Sequence, residues 1–286
     1  MATMPHKNGR HEQNGLRFAE DNVTITGMSK QAVNHLQSKT SMPVTARTAL
    51  AVLLLTAILV VVATLVGDQA GEQALLGQVP LLATLGIVSW FMGLAWYGLP
   101  GLGLRGKRPL FSGIGFAVLV WLPFLILRFF LVALNPDTPI GRGSFAGQAF
   151  FYMLLFEAFA VQLWTFGLVF RTLAEWRGGL TAAFGSGILF GMVAFTLFHE
   201  SFAANLGSLL YFMLWGILYG IIRLRTGSIL GIVTVQALHS FTTWIVFLPE
   251  ATPDVGQLQS LYLAASAVYL FVAWRLWPKQ EEDYRV

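Results

Sequence analysis

Eight apolar stretches, each about long enough to cross a bilayer, divide this chain. They fall at about 48–67, 80–100, 111–134, 147–172, 180–198, 207–224, 229–248 and 258–277. A bilayer core takes roughly 20 consecutive apolar residues in a helix. The fold class that follows is all-α: a polytopic membrane helix bundle of about eight transmembrane helices. Composition agrees, with 56% hydrophobic residues, 11% charged and a mean hydropathy of +0.66. Soluble domains carry about 25% charged residues. The nine Trp suit interfacial aromatic belts.

The connections alternate in Lys and Arg. Basic ones carry Lys7 to Arg47, then Arg105, Lys107 and Arg108, then Arg171 and Arg177, then Arg223 and Arg225, then Arg275, Lys279 and Arg285. Those between them carry none except Arg142. This pattern predicts both termini in the cytoplasm. The net charge of +4 therefore reads as a topology signal, and no dense basic stripe supports nucleic-acid binding. The absence of Cys excludes disulfides, thiolate nucleophiles and Cys-ligated zinc. Residues 1–46 are polar and irregular, lack a secretory pattern, and read as a flexible tail. The bundle occupies 47–278, and 279–286 is a short cytoplasmic tail.

Gly187/Gly191, Gly216/Gly220 and Gly227/Gly231 sit four residues apart in the fifth, sixth and seventh spans. Such pairs let helix backbones approach closely, so these spans are expected to form the tight core. Polar side chains held in lipid are costly and mark function by default. In the seventh span, Gln236, His239 and Thr243 fall on one helical face. His199 closes the fifth span, with Glu200 beside it; Ala203 rules out the zincin HExxH pattern. Glu157 in the fourth span and Arg128 in the third lie at similar depths, about 15 Å and 9 Å from one face. They are expected to form an ion pair, with Glu157 facing His239 as the alternative.

The stretch from about 161 to 247 resembles the CPBP family of CAAX proteases and bacteriocin-processing enzymes, also called Abi. The resemblance lies in Phe170-Arg171, in Phe195-Thr196-Leu197-Phe198-His199, in Leu224-Arg225-Thr226-Gly227-Ser228 and in Ala237-Leu238-His239, within a core of about 147–248. It implies an intramembrane endopeptidase fold. There a Glu pair in EExxxR, the His of FxxxH and the His and Asn/Asp of HxxxN/D form one site. The carboxylate activates water, alone or with a metal, while His or metal stabilises the oxyanion.

The chain departs from that pattern. Arg171 fits the motif Arg, but the Glu positions hold Phe166 and Gly167. His199 and His239 fit, but Thr243 stands at the Asn/Asp position. Gln162, one turn before Phe166, hydrogen-bonds but is no base. Glu157 lies about 14 Å along the axis from the motif position. Glu200 points about 100° away from His199 on a regular helix. A site shared by both histidines requires residues 173–184 to lie partly along the interface, so that the fifth span starts later.

The first expectation is therefore a CPBP-like membrane protein with a degenerate protease site and a binding or scaffolding role. The second is an active endopeptidase with Glu157 or Glu200 as relocated acid, supported by Arg171, Gln236 and Thr243. The third is a transporter or channel lined by Arg128, Glu157 and His239. No cofactor is expected; zinc or another divalent metal, held by His199 and His239, belongs to the active reading. The expected partners are the lipid bilayer and a membrane protein or peptide, in a bacterial plasma membrane.

Overall fold

The computed structural model describes residues 41–66, 73–104, 110–134, 146–198, 206–242, 255–280 and 284–285. Among these residues all regular structure is helical. The elements are α1 (Val44–Val66), α2 (Gln73–Trp96), the single turn α3 (Gly98–Gly101), α4 (Leu110–Ala133), α5 (146–177), α6 (Gly179–Phe198), α7 (Leu206–Thr226), α8 (Leu230–Phe241) and α9 (Val255–Arg275). Helices α1, α4, α5, α6 and α7 are long and apolar enough to cross a membrane; Pro80–Trp96 of α2 and all of α8 are shorter apolar helices. The chain is a multi-pass membrane protein in contact with lipid.

Most of the first tail, residues 1–40, lies outside the described residues, as do the end of the seventh expected span and the connections that hold His199, Glu200 and Thr243.

Burial separates the central helix from the outer ones. The spanning window of α5 is 78% buried, against 28% in α1 and 22% in α4. So α5 is the hub: α1, α2, α6 and α8 all pack on it. The outer helices turn Leu53, Phe91, Leu119, Phe129 and Phe271 outward, the expected lipid-facing surface of a bundle.

Helices α6 and α7 form the most extensive pair, and glycine is the reason. A Cβ at Gly191 would stand 2.6 Å from the Met213 Cα, and one at Gly187 would stand 2.8 Å from the Gly216 carbonyl carbon. Gly216 and Gly220 face the Gly187 and Ala183 backbones in return. The third glycine pair behaves differently from expectation. Gly227 lies in the turn after α7 with φ +70°, and Gly231 packs on Gly113 and Ala117 of α4. Four-residue spacing counted across a helix end does not make a helix face.

Local chemistry explains that turn. Thr226 Oγ1 accepts from the Ser228 N–H, and Ser228 Oγ accepts from the Leu230 N–H at 3.2 Å, so two polar groups at the helix junction are satisfied. The α5–α6 break is sharper. Gly178, at φ +90°, is all that separates Arg177 from Gly179. The late start of the fifth span considered above is therefore not adopted: α6 begins at Gly179. Near the same end, Arg47 of α1 forms a two-pronged ion pair with Glu175 of α5, at 2.8 and 2.9 Å, and also reaches the Tyr97 hydroxyl.

Candidate functional site

Helix α5 is not a regular α-helix. Two segments, Met153–Ala158 and Leu163–Val169, are π-helical. A turn closed by an i→i+5 bond holds an extra residue, and such turns concentrate at functional sites. The first π segment contains Glu157, and the second contains Phe166 and Gly167.

The widened turn sets a register. Ser240 of α8 donates to Glu157 Oε1, and the Gln162 side-chain amide donates to Gln236 Oε1. The two α8 residues are four apart and share one face. Their α5 partners are five apart, which on a regular α-helix would place them about 140° apart. The extra residue in the π turn brings both onto the face that α8 packs against. Glu157, Gln162, Gln236 and Ser240 thus form one buried polar seam.

His239 lies beside the seam in an aromatic cage. The Trp121 indole N–H donates to its Nδ1 at 3.4 Å, and Nε2 faces the Tyr211 hydroxyl at 3.4 Å. An indole N–H only donates, so Nδ1 is the acceptor and Nε2 carries the proton. The ring packs on Trp215 and Phe124, with centroids 4.2 and 4.7 Å away. Tyr211 stacks in turn on Tyr262 and Tyr269 of α9.

Glu157 and Arg128 do not form the expected pair. The carboxylate turns to Ser240, while Arg128 has Tyr211, Tyr269 and Tyr262 as its electrostatic neighbours. Depth puts the two residues on one level, but the helix face each occupies decides its company.

The motif positions hold no carboxylate. Phe166 is fully buried, its ring centroid 5.7 Å from that of Phe190 and 6.3 Å from that of Tyr219. Gly167 faces Leu102, whose carbonyl oxygen would lie 3.4 Å from an added Cβ. Arg171 is buried at the far end of α5, its guanidinium 5.7 Å from the Tyr97 ring centroid, in the neighbourhood of Glu175 and Arg47. The structure therefore gathers Glu157, Gln236 and His239 and leaves Arg171 apart. His199, Glu200 and Thr243 fall outside the described residues.

A metal does not fit the described part of this site. The Nδ1 lone pair of His239 faces an indole N–H and its other nitrogen carries a proton, so neither is offered to a cation. No group of three His, Cys, Asp or Glu among the described residues could hold a metal ion.

Several partners were not singled out from sequence. Trp121, Tyr211 and Ser240 carry no motif, and the π segments leave no mark in the hydropathy. The seven-residue spacing of Tyr262 and Tyr269 is a signal that could have placed two rings on one helical face.

Residues 144–242 match the family model described as type II CAAX prenyl endopeptidase Rce1-like. No curated protein and no solved structure matches the chain. The matched span contains α5, α6, α7, α8 and all four residues of the seam, with the cage completed by α4 and α9. Across residues 144–242, about a third of its length, this membrane-embedded chain is similar to the Rce1-like CAAX-protease family.

Proposed function

We propose that this CAAX-protease-like membrane protein has a degenerate hydrolytic site and works by binding a membrane-embedded protein or peptide. The observation that carries the reading is Phe166. Water attack on a peptide needs a base within hydrogen-bond reach of the water. At the position where the family resemblance calls for acid, an apolar ring is packed among Phe190 and Tyr219. The imidazole of His239 is bonded to aromatic partners, and the seam residues are bonded to one another. The reading needs no metal or cofactor. It places both termini in the cytoplasm of a bacterial plasma membrane, from the alternation of basic connections.

The test uses the full chain in nanodiscs with a library of membrane-embedded peptides that carry a photocrosslinker. Crosslinks that map to α5 or α8, without His239-dependent cleavage, support the proposal. Peptide cleavage that disappears in His239→Ala or His199→Ala overturns it.

A second reading has one observation in its favour: Glu157 is a buried carboxylate bonded to the residue next to His239. As a relocated base it predicts that Glu157→Gln abolishes cleavage in a folded protein. Equal cleavage by wild type and Glu157→Gln removes that reading; the same comparison made with Glu200→Gln addresses the other relocated acid.

A further inference from the structure

Helix α7 stops because the donors that would continue it are diverted. The Ser228 N–H goes to Thr226 Oγ1 at 3.2 Å, the Ile229 N–H to the Gly103 carbonyl at 3.0 Å, and the Leu230 N–H to Ser228 Oγ at 3.2 Å. In a continuing helix those three would bond the carbonyls of Leu224, Arg225 and Thr226. Leu224, Thr226 and Ile229 are buried, so water is a poor substitute there. A buried carbonyl left without a donor is costly.

A distant part of the chain supplies one of the missing donors. The Leu224 carbonyl accepts from the Arg285 backbone N–H at 2.8 Å. The contact runs both ways: Arg225 Nη1 donates to the Leu276 carbonyl, just past the end of α9, at 3.3 Å. Tyr284, half-buried, packs its ring against the hydrophobic core. The α9 end is itself fixed, since Trp277 lies on Phe184 of α6 with ring centroids 5.5 Å apart. The chain after α9 therefore returns to the α7–α8 junction and caps it. That junction is the Arg225-Thr226-Gly227-Ser228 turn, and α8 follows it with Gln236, His239 and Ser240.

We propose that the C-terminal segment is a strap: docked through Leu276, Tyr284 and Arg285, it holds the α7–α8 turn and with it helix α8, and its release loosens the α8 side of the polar seam. Its ties are a backbone hydrogen bond, an arginine–carbonyl bond and a half-buried ring, so release is a low-cost local opening rather than global unfolding. Helix α8 is suited to respond, because it is a short helix of 12 residues hung directly from that turn. The strap is independent of whether the domain binds or cleaves peptides.

The experiment is hydrogen–deuterium exchange of the full chain in nanodiscs, read by mass spectrometry on three stretches. These are 227–233 at the turn, 234–241 in α8, and 187–196 at the α6–α7 contact as reference. Arg285→Pro removes the single N–H that Leu224 uses, whereas Arg285→Ala keeps it. Arg285→Pro is expected to speed exchange of both 227–233 and 234–241 about fivefold, with 187–196 at the wild-type rate. Arg285→Ala is expected to match wild type. A chain ending at Asp283 removes the same donor without the restraint that Pro places on Tyr284, and is expected to behave as Arg285→Pro does. Wild-type exchange in both the Pro variant and the shortened chain overturns the proposal. So does a rise confined to the turn, a rise equally large at 187–196, or an Ala variant as fast as the Pro variant.

Discussion

Glu157 and His239 were both legible as costly residues in a lipid-spanning segment; their partners were not. Helical spacing places Gln236 and His239 on one face. It does not reveal that Ser240, one residue on, takes the Glu157 carboxylate, because that depends on the π turn in the partner helix. Hydrogen bonds between membrane helices contribute about 0.6–1.7 kcal/mol. Glu157→Gln retains an acceptor for Ser240, so its unfolding midpoint in detergent is expected near that of wild type. Glu157→Leu strands the hydroxyl and is expected to lower stability by about 1 kcal/mol. Equal midpoints for the two variants would contradict the seam. The Trp121–His239 bond is longer, at 3.4 Å. A double-mutant cycle with Trp121→Phe and His239→Phe is expected to give a coupling of about 0.6 kcal/mol. A coupling of zero would leave the imidazole as a packing element only.

Element boundaries followed apolar length closely, because lipid forces helices wherever the chain is apolar enough. Two features escaped that logic. The π segments in α5 alter register without altering composition. The Gly227/Gly231 spacing spans a turn, which a count of residues does not register. Both yield tests. Deleting Phe159, between Glu157 and Gln162, leaves these two residues four apart, the spacing that a regular α-helix needs to present both to α8. This variant is expected to fold, while deleting Leu218 from the regular helix α7 is expected to abolish folding; size-exclusion profiles of the two in detergent compare them. At the α6–α7 contact, Gly191→Leu drives a side chain into the Met213 backbone. Overpacking of this kind costs about 3 kcal/mol, measured as a loss of unfolding midpoint, whereas Gly147→Leu, in open space, is expected to cost far less.

At the scale of the molecule, the chain is a bundle wrapped around one mostly buried helix, α5, which carries the motif positions of a CAAX-protease-like domain. Membrane class and the likeness to the CAAX-protease family were legible because hydropathy and the Arg-Thr-Gly-Ser turn are local patterns. The arrangement of the site was not, since it is assembled from α4, α5, α7, α8 and α9 at once. The proposed sidedness has a clean test, because the chain contains no Cys. A single cysteine at Lys279 is expected to react with an impermeant maleimide only after the cytoplasmic face is opened; labelling of intact cells would reverse the orientation. The central claim is that the buried polar groups hold helices together and hydrolyse nothing. Its most direct test is the rate at which the purified full chain in nanodiscs releases the C-terminal tripeptide from a prenylated CAAX peptide. The account predicts the same background rate for wild type, His239→Ala and Glu157→Gln. Release by wild type that falls to background in either variant would contradict it.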